Sequence, residues 1–201
     1  EKIKLFSNTI AGSLYSDYQQ LKNKINKPAI LLLGSYGHQY SPMNRARQWL
    51  VNDIMPIVWD YNSNINLYIV GRNASYANDI KLNKNVTILS DVESTIPFLQ
   101  KCDVLVIPLK HESGTRFKII EAGAARIPCI STLLGAEGLN IEDKKHLLVS
   151  DDKHEFANNI IKVLTDTDLS EFLTSNMYSL IEENYSLNTQ QLEASVILDF
   201  I

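Results

Sequence analysis

Near its middle the chain carries a short segment whose side chains and backbone could bind an anion. The positions concerned are Ser113, Gly114, Thr115, Arg116 and Lys118. The pattern predicts a helix that begins here, and a helix start carries partial positive charge and free backbone N–H groups. Two cations are electrostatically misplaced there unless an anion lies beside them. Hydroxyls, amides and cations together are the donors that a phosphate or a diphosphate needs.

Glu121 adds a carboxylate to the same predicted helix, three residues after Lys118. A lysine and a glutamate at this spacing can also form an exposed surface pair, which stabilises a helix by roughly 0.2–0.5 kcal/mol. That pair is the alternative to an anion site, because it makes the segment an ordinary solvated face. We favour the anion site, since the surface pair does not explain the cations at the helix start.

A second loop with binding potential contains Gly34, Ser35, Gly37 and His38. Glycine lets the backbone approach a ligand closely, and the Ser35 hydroxyl can donate to a phosphate oxygen. The loop lacks the G-x-G-x-x-G fingerprint of dinucleotide-binding proteins, and glycine at such a place is usually only part of a turn. The loop therefore supports a binding site only in combination with the first segment.

Both segments follow short apolar runs that predict strands of a parallel sheet. Six such runs, rich in β-branched residues and leucine, cover residues 29–33, 67–70, 86–89, 104–107, 129–131 and 147–149. They alternate with amphipathic stretches, which is typical of βα units. Ligands of open parallel sheets bind beyond the carboxyl ends of the strands, so the two loops are expected at the same edge.

Helices are predicted in most of the connections between these strands. Ser41 can cap the first helix, and Pro42 suits its first position. Further helices are expected at residues 96–101, 115–125, 154–164, 169–183 and 187–201, with a less regular crossover at 74–81. Near the start of the chain, residues 3–6 could form a strand and residues 15–27 a linker or connecting helix.

Composition restricts the classes of partner. The net charge is −4, with charges of both signs scattered along the chain, so there is no basic footprint for nucleic acid. The longest apolar runs, 29–33 and 104–109, are far shorter than the roughly 18 residues that a membrane span needs, although peripheral membrane contact is compatible with the sequence. The two cysteines, Cys102 and Cys129, are interpreted as buried reduced thiols, which fits a cytoplasmic protein.

No metal site and no hydrolytic triad is predicted. The four histidines have no ligand spacing with the cysteines, and no Ser, His and Asp arrangement stands out. Asp166 and Asp168 have a D-x-D spacing, but they lie between two predicted helices, where aspartate commonly caps a helix start. Asp151 and Asp152 precede another helix and are interpreted in the same way.

Residues 112–139 resemble the donor-binding motif of retaining glycosyltransferases of the glycosyl transferases group 1 type. Elsewhere the same order of features is found at Gly34-Ser35, Pro42, Asn44, Trp49, Ile69-Val70-Gly71, Asp91-Val92, Cys102-Asp103-Val104, Pro108-Leu109 and Asp151-Asp152. The resemblance covers about residues 28–186. It implies the C-terminal half of a GT-B fold, which is a Rossmann-like, six-stranded parallel sheet with helices on both faces. It also implies sugar transfer from a nucleoside diphosphate sugar without a metal or other cofactor.

The resemblance also implies roles for individual residues. Glu121 matches the second glutamate of the family's E-x7-E motif, which accepts the ribose hydroxyls. The first glutamate is replaced by Ser113, and Glu112, one residue off, is the available substitute. Arg116 and Lys118 take over the stabilisation of the leaving diphosphate, the catalytic role that an Arg and a Lys after the first strand have in many members. Gly135 and Glu137, with Gly34, Ser35, Gly114 and Thr115, complete the implied donor site.

The implied domain organisation leaves the acceptor side to a missing N-terminal domain. Residues 1–27 would be a remnant of that domain and its linker, 28–186 the donor-binding domain, and 187–201 a helix that packs back toward the missing domain. A glycan or lipid-linked acceptor would bind through that domain, so this chain, which starts at Glu1, is expected to be inactive alone. The alternatives are a sugar-nucleotide epimerase of similar scaffold and a non-catalytic nucleotide-binding module. A flavodoxin-like domain is disfavoured because no acidic cluster follows the first strand.

Overall fold

A computed structural model of the chain describes residues 8–17, 24–37, 40–76, 83–111 and 117–198. Six parallel strands form one sheet in the order β3-β2-β1-β4-β5-β6. The strands are Ala29–Ser35 (β1), Asn66–Arg72 (β2), Val86–Ser90 (β3), Val104–Ile107 (β4), Cys129–Ser131 (β5) and Leu148–Val149 (β6). All six predicted strands are confirmed, with bounds that differ by two residues at most. The predicted strand at residues 3–6 lies outside the described residues.

Helices cover both faces of the sheet. They are Ser13–Ser16 (α1), Pro42–Trp49 (α2), Met55–Tyr61 (α3), Ile96–Lys101 (α4), Phe117–Ala124 (α5), Leu133–Ala136 (α6), Lys153–Thr165 (α7), Thr167–Asn184 (α8) and Leu187–Leu198 (α9). The irregular crossover predicted at 74–81 begins with a single 3-10 turn, Ala74–Tyr76, and its remainder lies outside the described residues. Of the predicted linker at 15–27, the described part begins in the one-turn helix α1.

A π-helical segment, Leu50–Ile54, joins α2 to α3. Pro56 is the second residue of α3. Proline has no backbone N–H and its ring clashes with the carbonyl four residues earlier, so a regular α-helix cannot pass through it. A widened turn is one way in which a helix accommodates such a residue.

Alternate residues of each central strand face different cores. On β1, Leu31 and Leu33 pack with α1, α4 and α5, whereas Ile30 and Leu32 pack with α2, α3 and α7. Successive side chains of a strand point to opposite faces, so a strand that is covered on both faces must be apolar throughout. This explains why these strands appear in the sequence as unbroken apolar runs.

The two cysteines are free and buried in the described structure. Burial, with the negative charge of Asp103, raises the pKa of the Cys102 thiol to about 12. Burial also raises the pKa of Cys129. Both side chains are therefore neutral thiols that pack as small apolar groups, as predicted.

Candidate functional site

The strand order reverses between β1 and β4, which lie side by side at the centre of the sheet. In open parallel sheets the loops beyond the carboxyl ends of two such strands diverge and leave a crevice. The loop after β1 and the connection from β4 to α5 border this crevice. Most of the predicted anion-binding segment lies outside the described residues, namely Glu112, Ser113, Gly114, Thr115 and Arg116. The structure describes both sides of it, to His111 and from Phe117.

The loop after β1 is anchored through one backbone carbonyl. The Tyr36 carbonyl accepts a hydrogen bond from Ser41 Oγ at 2.7 Å and another from Asn44 Nδ2 at 2.5 Å. The Tyr36 side chain is fully buried, whereas its neighbours Ser35 and Gly37 are exposed. Ser35 is thus presented at the mouth of the crevice by a rigid support. Ser41 is the N-cap of α2 and Pro42 its first residue, as predicted.

Two glycines allow the close packing beneath this loop. A Cβ atom on Gly34 would lie 2.4 Å from Met43 Cε, and one on Gly71 would lie 1.9 Å from the Gly34 carbonyl oxygen. Gly71 also has a φ of +137°, which side chains rarely allow. The sequence analysis expected Gly34 to allow a close approach to the backbone. Among the described residues, the atoms that lie close to Gly34 belong to the protein itself. Its predicted contact with a ligand stays a prediction.

Arg47 is a buried cation beneath the same loop, and the sequence analysis did not single it out. Its guanidinium donates to the Ala74 carbonyl at 2.7 Å and to Asn44 Oδ1 at 2.5 Å, and it lies over the Tyr36 ring, with Cζ 5.0 Å from the centroid. The network joins α2 to the chain that follows β2, so it fixes two loops at the carboxyl edge. The sequence signal is the spacing of Asn44 and Arg47, which lie three residues apart on the helix.

Lys110 is a second cation that the sequence analysis did not select. It is exposed, it lies three residues after the end of β4, and its Nζ lies 3.7 Å from the centroid of the Trp49 ring. A lysine stacked on an indole ring is held by a cation–π interaction and keeps its charge toward solvent. The crevice therefore has a fixed positive charge on the side from which the chain enters the segment 112–116.

Helix α5 carries the two predicted site residues that the structure describes in this region. Lys118 is half-buried in its first turn, and Glu121 is half-buried in the next. Glu121 Oε1 accepts a hydrogen bond from the Tyr15 hydroxyl at 2.9 Å. Within the described part of the chain no ion pair joins Glu121 to Lys118. The exposed surface pair, which was the alternative to an anion site, is therefore not formed.

The connection after β5 begins with the one-turn helix α6. Thr132 caps α6, because its Oγ1 accepts from the Gly135 amide at 3.0 Å, and the same hydroxyl donates to the Leu109 carbonyl. Gly135 is buried, and a Cβ there would lie 2.3 Å from Ser131 Oγ. The helical start has a local reason, because threonine is a favourable N-cap residue.

Glu137 and Gly138 form the turn that follows α6, and both are exposed. They line a cavity of about 640 Å³ together with Leu133, Val149 and Asp151. The Leu133 amide donates to Asp151 Oδ1 at 3.1 Å, which ties this wall to the end of β6. The cavity lies at the carboxyl edge, and the predicted sugar-facing role of Gly135 and Glu137 stays a prediction.

Two of the four aspartates that could suggest a metal site, Asp152 and Asp166, are helix caps as predicted. The predicted capping role is wrong for the other two, because Asp168 lies in the first turn of α8 and Asp151 accepts from the Leu133 amide instead. Asp166 Oδ1 accepts from the Leu169 amide at 2.9 Å, and Asp152 Oδ1 accepts from the amides of His154 and Glu155, each at 2.9 Å. These backbone hydrogen bonds lower the pKa of Asp152. The residues that the structure describes contain no group of three metal-binding side chains. None of the described helices is both long enough and apolar enough to cross a membrane.

One curated relative is 26% identical over 161 residues, a match that covers 74% of this chain. It is an uncharacterized 44.6 kDa protein encoded in the cps region of Klebsiella pneumoniae. The chain spans only 41% of that protein.

Solved structures share the fold at low sequence identity. The structure of HepE from Anabaena in complex with UDP matches with a TM-score of 0.76 at 15% identity, and it covers 98% of this chain and 57% of HepE. The C-terminal domain of LpcC, a glycosyl transferase group 1 family protein from Francisella tularensis, matches with a TM-score of 0.68 at 14% identity. That match covers 89% of this chain and 99% of the LpcC domain.

A family model extends over most of the sheet domain. The model described as glycosyl transferases group 1 matches residues 27–166. The match begins at Lys27 of the cis Lys27-Pro28 bond and ends at Asp166, the N-cap of α8. The match includes the loop after β1, the connection from β4 to α5 and the residues between them. The chain therefore belongs to the glycosyl transferases group 1 family.

Proposed function

We propose that this chain is the donor-binding half of a retaining GT-B glycosyltransferase, which moves a sugar from a nucleoside diphosphate sugar to an acceptor hydroxyl. The observation that carries the proposal is the convergence of the β1 loop, the end of β4 and the start of α5 at the crevice of a sheet in this family. The complex of HepE with UDP supports a nucleoside diphosphate as the bound product. The near-complete match to an isolated C-terminal domain supports the assignment to that half.

In the proposed complex the diphosphate lies against the start of α5. Lys118 in the first turn and Lys110 in the loop after β4 supply positive charge to this region, and Arg116 is expected to join them. Negative charge grows on the leaving diphosphate as the bond to the sugar breaks, so fixed cations stabilise the transition state. We therefore propose that the reaction needs no metal, because these cations supply the charge that a metal would otherwise supply.

Glu121 is proposed to bind the ribose. It lies one turn beyond Lys118 on α5, which is a suitable separation for a ribose beside a diphosphate. A carboxylate accepts only, and the 2′ and 3′ hydroxyls of ribose donate, so the chemistry matches. Gly34 and Ser35 would contact the phosphates from the β1 side, and Gly135 and Glu137 the sugar from the β5 side.

The acceptor is proposed to enter from a second domain that precedes this one. The segment before the sheet and the segment after α8 lie together, since the Ile10 amide donates to the Tyr185 carbonyl at 2.8 Å and Thr9 Oγ1 to Gln190 Oε1 at 2.9 Å. Two adjacent segments can both connect to the same neighbouring domain. This geometry supports the proposed division into a linker, a donor domain and a returning helix.

Calorimetric titration tests the donor site. Among UDP, GDP, ADP and CDP, the tightest ligand should bind equally well with and without a chelator. Arg116→Ala or Lys118→Ala should weaken that diphosphate by about ten- to a hundredfold and should scarcely affect the bare nucleoside, because a charge-assisted hydrogen bond contributes roughly 1.5–3 kcal/mol. Lys162→Ala, an exposed lysine in the last turn of α7, is the matched control.

Equal losses for nucleoside and diphosphate in both cation variants would refute the diphosphate assignment. Binding that requires Mg²⁺ or Mn²⁺ would refute the metal-free proposal. Analysis of products from a labelled donor separates transfer from epimerisation, since an epimerase releases an altered nucleotide sugar and forms no glycosylated acceptor. Retention follows if the anomeric configuration of the product equals that of the donor.

A further inference from the structure

Tyr15 contacts Glu121, the residue proposed to bind the ribose, from a distant part of the chain. Its hydroxyl donates to Glu121 Oε1 at 2.9 Å, although the two residues are 106 positions apart. The tyrosine is 9% exposed and belongs to the core on the α5 side of the sheet. A buried tyrosine whose hydroxyl bonds to a carboxylate of the proposed site has a role beyond packing.

The backbone around Tyr15 is also held in place. Gln100 Nε2, at the end of α4, donates to the Tyr15 carbonyl at 2.9 Å and to the Asp17 carbonyl at 2.7 Å. Helix α1 is thereby fixed to α4, while the Tyr15 ring and hydroxyl pack against α5. The tyrosine is anchored at both ends, so its hydroxyl has little freedom to leave Glu121.

Among the residues that the structure describes, Tyr15 bonds to Oε1 of this carboxylate and leaves Oε2 available for a ligand. A carboxylate has about four lone-pair sites on two oxygens, and Tyr15 occupies one site on Oε1. The pKa of the Tyr15 hydroxyl is raised mainly by burial and further by the charge of Glu121, so the hydroxyl stays protonated and remains a donor. A glutamate on a helix surface otherwise samples several rotamers, and fixing one oxygen limits the directions in which the other can point.

We propose that Tyr15 is a positioning residue, which orients Glu121 so that its free oxygen faces the ribose diol of the bound nucleotide. The proposal rests on the proposed function of Glu121. A specificity element of this site thus comes from the segment that enters the domain, outside the sequence motif of α5. Preorganisation of this kind contributes to affinity because the ligand does not have to order the carboxylate itself.

The variant Tyr15→Phe tests the proposal, because it removes only the hydroxyl. Titration with the tightest of UDP, GDP, ADP and CDP should show about a three- to tenfold weaker Kd than in the unmodified protein. The 2′,3′-dideoxy form of the same nucleotide should bind both proteins equally. Tyr68→Phe is the matched control, since Tyr68 is 4% exposed on the same face and its hydroxyl accepts from the Asn26 amide.

The variant Glu121→Ala separates this proposal from the proposed function. If Glu121→Ala weakens the ribonucleotide and spares the dideoxy form, while Tyr15→Phe changes neither, only the positioning role is overturned. If Glu121→Ala leaves ribonucleotide affinity unchanged, the ribose assignment and the positioning role both fail. In the double variant Tyr15→Phe/Glu121→Ala, the loss should equal that of Glu121→Ala alone.

Two further results would overturn the positioning role. One is tighter ribonucleotide binding by Tyr15→Phe, which would show that the tyrosine competes with the ligand. The other is an equal loss for the ribonucleotide and its dideoxy form, which would show general damage to the site. Should Tyr15→Phe fold poorly, Gln100→Ala loosens the anchor of α1 and should give a smaller loss that is again confined to the ribonucleotide.

Discussion

At the scale of single residues, two positions at the carboxyl edge of the sheet have no room for a side chain beyond hydrogen. Gly34 and Gly71 are paired across β1 and β2. The backbone of one occupies the place where the other would have its Cβ. Gly71 allows the two strands to end side by side under the β1 loop, whereas Gly34 leaves room for the Met43 side chain.

The variant Gly71→Ala is expected to lower the free energy of unfolding by more than about 3 kcal/mol, since strain and a clash with backbone act together. The control is Gly37→Ala, where φ is +42° and the added methyl group would meet open space. That change should cost only about 1–2 kcal/mol from backbone strain. Urea denaturation of both variants measures the difference, and similar costs would contradict the packing argument.

His146 makes the fold sensitive to acid. It is buried, and its Nδ1 accepts a hydrogen bond from the Glu142 amide at 2.9 Å, which a protonated ring nitrogen cannot do. Burial is the main cause of its lowered pKa, followed by the positive charge of Lys145. The unfolded chain therefore binds a proton at a higher pH than the folded chain does.

We accordingly expect the free energy of unfolding to be unaffected by His146 above about pH 6.5 and to fall as the pH decreases below that value. The variant His146→Gln should flatten this decrease, although it is less stable at neutral pH. The exposed His154, changed to Gln, is the matched control. Chemical denaturation between pH 5 and 8 measures the slopes, and equal slopes for wild type and His146→Gln would contradict the assignment.

At the scale of elements, the helix starts are set by side chains that lie next to them in sequence. Ser41, Thr132, Asp152 and Asp166 each accept a hydrogen bond from an amide in the first turn of their helix. Ser41 also donates to the Tyr36 carbonyl, so one hydroxyl both begins α2 and anchors the β1 loop. Site geometry and helix capping are coupled at that position.

The variant Asp166→Ala should lower the free energy of unfolding by about 1 kcal/mol, because the Leu169 amide loses its acceptor. Asp166→Asn should be nearly neutral, since an amide oxygen can replace the carboxylate as a cap. Thermal or urea unfolding measures both variants. If Asp166 were instead part of a metal site, Asp166→Ala would weaken the binding of a nucleoside diphosphate, so an unchanged Kd is the matching expectation.

At the scale of the whole molecule, the sheet domain is proposed to form one side of a larger site. The chain spans 41% of its Klebsiella pneumoniae relative and 57% of HepE. In this proposal the crevice binds the phosphate and the ribose of the donor. The segments at Ile10 and Tyr185 lie side by side, which is compatible with two connections to the same neighbouring domain.

We therefore expect the 201-residue chain alone to bind a nucleoside diphosphate and to transfer no sugar. The physical reason is that binding requires only the α5 side of the cleft, whereas transfer also requires an acceptor held in line with the donor sugar. A radiolabelled-donor assay of the chain, with a two-domain member of the family as the positive control, measures the sugar transferred. Robust transfer by the chain alone would refute the division of labour.

The local sequence pattern was sufficient to predict most of the fold. The six strands are apolar runs because both faces of the sheet are covered, so their composition alone indicates buried parallel strands. The caps Asp152 and Asp166 were also predictable, since each bonds to an amide within three residues. Family membership could be read from the 112–139 motif and its ordered neighbours, and the model match over residues 27–166 confirms it.

Only the tertiary structure decided which distant residues meet at the crevice. Sequence spacing left a Lys118–Glu121 surface pair open as an alternative, but the fold brings Tyr15 to Glu121 instead. Arg47 is charged and would be expected at the surface, yet it lies buried, where the Ala74 carbonyl and Asn44 Oδ1 accept from its two terminal nitrogens. Hydrophobic periodicity and capping are local and therefore legible in sequence, whereas these contacts join separate elements and depend on how the chain returns to the same edge of the sheet.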